Sequence, residues 1–227
     1  MSFRASFPTK NLTNIDCELI SKTFSKIFNM DMNIALLTCD ILLRTEGIIS
    51  FSDLITLAKE ESLAKDVVLD LYWWRILIPL RLDRRKDLSW ASRPPSFRSE
   101  ELYEIPSAIL YAFLGLVETG KWDYRYALRA YLNDTKDPCL ELAIEAVSGF
   151  LLEVEKFYVK ANAIAKACRK VGMPEERIGI LIAELKDGGF ISPAISVKFL
   201  ETLKKGDPIY EVNKAVFVEV LKRKETV

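Results

Sequence analysis

Leu102-Tyr103-Glu104-Ile105, with Ala108-Ile109 just beyond it, returns near the far end of the chain as Ile209-Tyr210-Glu211-Val212 with Ala215-Val216. One match of this kind can arise by chance, but the segments upstream match in the same order. Ile34, Leu37, Ile41, Leu42 and Leu43 align with Ala143, Ala146, Phe150, Leu151 and Leu152, and at the same offset Leu54, Ile55 and Ala58 align with Ala163, Ile164 and Ala167. Val67, Val68 and Leu71 align with Leu181, Ile182 and Leu185, and Pro79 with Pro193. The offset changes only between elements, where loops tolerate insertion. The chain therefore reads as two copies of one unit.

In the second copy, apolar residues at helical spacing predict a helix from Pro138 to about Tyr158, with Asp137 as N-cap. A second helix is expected over Ala161 to Val171, ended by Gly172, and a third opens at Pro174-Glu175-Glu176 and stops at Gly188-Gly189. Phe190 to Pro193 and Pro208 to Val212 read as strands flanking a charged loop, and Lys214 to Lys224 as a closing helix capped by Asn213. The first copy repeats the plan. Helices are expected at Met32 to Arg44, Ser50 to Glu61 and Leu63 to Trp74, then a strand at Ile76 to Leu82, a polar loop at Asp83 to Glu100 and a strand at Leu102 to Ile105. Pro106 opens a further helix, Gly120 breaks it, and Trp122 to Leu132 forms another.

Helix, helix, helix, strand, loop, strand resembles the winged helix-turn-helix domains of archaeal and bacterial transcription regulators. The second copy carries the resemblance best, because Leu185-Lys186-Asp187-Gly188-Gly189-Phe190-Ile191-Ser192-Pro193 is similar to the end of the third helix and first wing strand in that superfamily. The expected fold is mainly α with small β-hairpins, a tandem duplicated winged helix-turn-helix. Its parts are an N-terminal arm or amphipathic helix (1–29), module 1 (30–120), a connecting helix (121–137) and module 2 (138–227). The arm's pattern of Leu12, Ile15, Leu19, Ile20, Phe24, Ile27 and Phe28 suits a helix that covers a module or meets a second chain.

Composition narrows the function. The 227 residues hold 32 Lys plus Arg against 32 Asp plus Glu, so any nucleic-acid surface must be local. The chain has no histidine, and Cys17, Cys39, Cys139 and Cys168 lie far apart in sequence, which argues against a zinc site and for a reducing, cytoplasmic setting. Without histidine the usual Ser-His and Cys-His nucleophiles cannot form, and no phosphate-binding or dinucleotide fingerprint is present. The reading is a binding protein, not an enzyme, with no cofactor or metal and no membrane segment.

The strongest functional feature is a basic stretch at the first wing. Arg75, Arg81, Arg84, Arg85, Lys86, Arg93 and Arg98 face only Asp83 and Asp87, a local charge of plus five. A wing beside a recognition helix can track a duplex and hold its phosphates, which assigns Arg81, Arg84, Arg85, Lys86 and Arg93 to phosphate contacts and Lys65 to a helix contact. The bland alternative is a solvated loop whose charge protects a hairpin edge. The third helices carry few readers, and Glu175 and Glu176 would repel phosphate at the second helix start. Trp73, Trp74, Trp122 and Tyr126 are candidate partner anchors, or else parts of the packing of Tyr72-Trp73-Trp74 and of the connecting helix. Two functions follow. One is double-stranded DNA binding in a transcriptional or chromosomal role, through the first wing and third helix of module 1. The other is a winged-helix protein-interaction module within a larger complex, with a homodimer through the connecting helix as a combination of the two.

Overall fold

The computed structural model describes residues 16–45, 47–80, 89–194 and 207–225. Asp16 and Asp31 accept backbone N–H groups at the starts of helices α1 (Cys17–Phe28) and α2 (Met32–Arg44). Strand β1 (Ile48–Ser50) runs directly into α3 (Phe51–Ala58), where Ser50 caps the Asp53 N–H at 3.1 Å and donates to its carboxylate. Helix α4 (Glu61–Trp74) ends in a left-handed Arg75 and leads to β2 (Ile78–Pro79). Strand β3 (Leu102–Glu104) returns between the other two, giving an antiparallel sheet of order β1-β3-β2 with Tyr103 opposite both Ile49 and Pro79. Helices α5 (Ser107–Thr119) and α6 (Tyr124–Asp134) connect to the second unit, with a break at the left-handed Gly120.

That unit repeats the order. Helix α7 (Leu140–Phe150) passes through a 3₁₀ turn (Leu151–Glu153) to β4 (Tyr158–Lys160), α8 (Ala161–Lys170), α9 (Glu175–Asp187), β5 (Ile191–Pro193) and β6 (Ile209–Val212), with sheet order β4-β6-β5. Helix α10 (Val218–Glu225) closes the described chain. The fold is mainly α with two small three-stranded antiparallel sheets, consistent with two winged-helix-like units.

Four expectations need correction. The helix expected to reach Tyr158 stops at Phe150; Lys156 and Phe157 take positive φ, and Tyr158 pairs with β6 instead. Strands β1 and β4 fall where loop or helix is expected, because three residues carry no periodicity and their partners lie far along the chain. The closing helix starts at Val218, while Asn213 caps the turn before it by accepting the Ala215 and Val216 N–H groups. Finally, Leu54 matches Ile164, not Ala163. Phe51 and Ala161 both begin helices and donate to the equivalent carbonyls of Glu101 and Pro208, so the loop before β4 holds one residue more than the loop before β1.

The two units grip each other reciprocally. Ala108 N–H donates to Gly188 O at 2.8 Å, and the corresponding Ala215 N–H donates to Trp74 O at 3.0 Å. Beside these bonds Pro106 presses on Gly189, and the corresponding Asn213 donates to Arg75 O at 3.1 Å. An exchange in which each side contributes the same positions is what a twofold interface produces, here within one chain. A single apolar core runs through both units. Helix α1 covers the junction: Phe28 lies 5.3 Å from Trp74 and 5.4 Å from Trp122 between ring centroids, and Phe24 lies 5.6 Å from Trp122. The described part of the arm thus packs over the place where the units meet.

Asp137 accepts the Cys139 N–H and pairs with Arg177 on α9 at 2.9 Å; the same guanidinium reaches Glu184 at 3.3 Å. Burial and then the Asp137 charge push the Glu184 carboxyl up to about 7, against the pull of Arg177. A folded-state pKa above the unfolded value means that stability from proton binding is full at low pH and is lost as pH rises through about 7. Glu184→Gln should therefore gain stability over the native chain at pH 8 and gain less at pH 5. Urea midpoints at both pH values test this, and an equal difference at the two would contradict it.

Candidate functional site

On a winged-helix-like unit the exposed side of the third helix and the loop joining the last two strands are the surfaces free to meet a ligand. The exposed positions of α4 are Glu61, Ser62, Asp66, Leu69 and Trp73. On α9 they are Glu175, Glu176, Gly179, Ile180, Ala183 and Asp187. Neither set contains a Lys or Arg. Lys65 is partly exposed and forms an i,i+4 ion pair with Glu61 at 2.6 Å, its ammonium 6.0 Å from the Phe97 ring. Burial and the Asp66 charge raise the Asp70 carboxyl above its ordinary value, a further sign of crowded negative charge on this helix. At the start of α9, Arg169 holds Glu175 at 2.5 Å and lowers its pKa.

Of the phosphate candidates, Arg81, Arg84, Arg85 and Lys86 lie outside the described residues. Arg93 does not fit its expected role. Its guanidinium donates to Glu104 at 2.8 Å and lies 3.4 Å from Pro79 O, pinning the base of the wing across β2 and β3. Arg75, counted in the same basic stretch, is 7 % exposed and donates to Glu211 of the second unit at 2.9 Å. Two of the seven cations, Arg75 and Arg93, are thus already paired within the fold. The wing also has an apolar foot that its polar composition hid. Trp90 is buried, its N–H donates to Ser192 Oγ on β5 at 3.2 Å, and its carbonyl accepts the Tyr72 hydroxyl at 2.8 Å. At Trp90 the first wing therefore lies against the second unit, while Arg93, Ser96 and Phe97 hold to the first.

The four aromatic candidates separate. Trp73 is 58 % exposed, with the Lys214 ammonium 3.5 Å from its ring centroid, a cation–π contact. Burial and the neighbouring Arg75 push that ammonium down to about 8, while Glu211 opposes them. Trp74 is half-buried against Phe28. Trp122 is 2 % exposed and donates from Nε1 to Ala215 O at 2.8 Å, so it joins the units and cannot anchor a partner. Tyr126 lies over Gly115, where a Cβ would come within 2.7 Å of its ring, and its hydroxyl donates to Glu118. Arg129 pairs with Glu141 at 2.8 Å. From Lys121 to Tyr131 the aromatic rings are buried or half-buried while Lys121, Arg125 and Arg129 are exposed, so the rings form no open stacking surface, and Trp122, expected to begin the connecting helix, stands just before α6. Among the described residues no group of three metal-ligating side chains is placed to hold an ion, and no helix is long and apolar enough to cross a membrane.

No curated protein and no solved structure matches the chain. Residues 40–224, from within α2 into α10, match a protein family named from an archaeal gene, and the protein belongs to that family.

Proposed function

We propose that the protein binds double-stranded DNA, as a non-catalytic member of a transcriptional or chromosomal assembly, by holding phosphates at its first wing. The feature that carries this reading is the basic sequence between β2 and β3. Arg81, Arg84, Arg85, Lys86 and Arg98, against Asp83 and Asp87, all fall between β2 and β3, where a winged unit presents its hairpin. Phosphate contacts fix a protein on a duplex without reading its sequence. The most exposed positions of α4 and α9 carry no Lys or Arg for base edges, so the binding proposed is weakly sequence-dependent and backbone-led. Lys65, tied to Glu61, is a minor contributor.

Fluorescence anisotropy with a labelled mixed-sequence duplex tests the reading. Affinity should fall with salt at a log–log slope of about −3, and five cations at most limit it to about −4.5. Arg84→Glu, Arg85→Glu and Lys86→Glu together should weaken binding at least tenfold at low salt without changing the thermal midpoint. Undiminished affinity in that triple variant would remove the assignment.

A second reading, contact with a protein partner, is favoured by one feature of α4. Leu69 is 50 % and Trp73 58 % exposed, one turn apart on one face. An exposed tryptophan beside an aliphatic neighbour is a suitable anchor for a protein surface. The duplex titration separates the readings, because absence of binding even at low salt leaves the protein contact as the explanation of this face.

A further inference from the structure

All four cysteines are free thiols, and two of them meet. Cys17 is the first residue of α1 and is half-exposed; Cys39 lies in α2 and is fully buried. They are 22 residues apart in sequence, yet the Cys39 thiol donates a hydrogen bond to Cys17 Sγ at 3.1 Å. A disulfide needs the sulfurs only about 1 Å closer. The geometry points to Cys17 and Cys39 as an oxidation site, at which a hydroperoxide converts the two thiols to a disulfide and staples α1 to α2.

The order of events follows from access and protonation. Burial, and then the hydrogen bond to Cys17, raise the Cys39 thiol well above its ordinary pKa, so it stays neutral and is the poorer attacker. Cys17, at the surface, attacks the peroxide oxygen; the O–O bond breaks and gives the Cys17 sulfenic acid and, from hydrogen peroxide, one water. Cys39 sulfur then attacks the sulfenic sulfur. The S–O bond breaks, the hydroxide leaves with the Cys39 proton as a second water, and the S–S bond forms. Two thiols are oxidised by two electrons and one peroxide is reduced.

The consequence lies in what α1 covers. Its Phe24 and Phe28 close over Trp74, Phe113 and Trp122 where the units meet, and Lys222 of α10 donates to Ile27 O at 2.5 Å. A staple from α1 to α2 holds that cover in place through conditions that would otherwise release it.

Full-length protein treated with hydrogen peroxide, quenched, alkylated under denaturing conditions and digested without reductant gives the test. The expected result is a Cys17–Cys39 linked peptide, two hydrogens lighter, with Cys139 and Cys168 alkylated. The oxidised chain should also melt roughly 5 °C or more above the reduced one. In Cys39→Ala, Cys17 should stop at a sulfenic acid that dimedone traps, with no rise in melting temperature. Sulfinic acid at Cys17 without the linked peptide, linkage of Cys17 to Cys139 or to a second chain, or unreacted thiols in the native protein would each overturn the proposal. The native peptide map decides the matter even if the variant fails to fold.

Discussion

Arg75→Met is expected to lower the unfolding free energy by about 3–5 kcal/mol, the range for breaking one side of a buried ion pair. The loss arises from what stays behind. Glu211 is 1 % exposed, its Oε1 accepts the Arg75 Nε–H at 2.9 Å, and its Oε2 has no hydrogen-bond partner among the described residues. Without the guanidinium a carboxylate remains buried with nothing to offset its lost hydration. Arg75 also donates to Tyr72 O at 2.9 Å and stacks 4.6 Å from the Tyr72 ring, so methionine removes contacts on its own helix too. A cycle with Glu211→Leu separates these effects. If the dominant cost is the stranded carboxylate, the double variant should regain most of the loss, because an apolar pair of similar volume needs no compensation. Urea unfolding measures all four proteins. A single-variant loss under about 1 kcal/mol would mean that water reaches Glu211 and that the pair does not bind the units together.

Helices are legible in the sequence and the junction between units is not, for physical reasons. Caps and stops are local: Ser50, where a helix is expected to begin, and Pro106 and Gly120 act within a few residues of where they stand, and each marks a helix end in the structure. Strands β1 and β4 are three residues long and owe their existence to β3 and β6, so no pattern within Ile48–Ser50 or Tyr158–Lys160 announces them. The repeat of Leu102-Tyr103-Glu104 as Ile209-Tyr210-Glu211 correctly marks two central strands, because similar neighbours impose the same alternation twice. Counting charges along the chain misleads most. It treats Arg75 and Arg93 as free, whereas Glu211 lies 136 residues from Arg75 and Glu104 lies across the hairpin from Arg93. Trp122 and Trp90 escape a sequence reading in the same way. Their partners, Ala215 and Ser192, belong to the other unit, and only the fold brings them near.

Gly189→Ala should destabilise the protein by about 2–4 kcal/mol, and comparison with a second glycine shows where the cost lies. Gly189 has φ +75°, where an L side chain is strained by about 1 kcal/mol or somewhat more. That strain alone is tolerable at this place in the fold, because the corresponding position in the first unit is Arg75, at φ 64°. What Gly189 provides is room. A Cβ there would stand 2.5 Å from Pro106 Cβ and 3.5 Å from Pro106 Cα, and a proline ring fixed to the backbone cannot turn aside. The units would have to part locally, weakening the bond from Ala108 N–H to Gly188 O and the one from Asn213 to Gly189 O at 3.0 Å. Gly120 has φ +72°, and a methyl group added there would meet nothing within 4 Å, so Gly120→Ala carries the backbone cost without the collision. Thermal midpoints should fall by roughly 5–15 °C for Gly189→Ala and by no more than about 4 °C for Gly120→Ala. Equal losses in the two variants would show that the contact between Pro106 and Gly189 relaxes freely. The reciprocal grip would then rest on the Arg75 side alone.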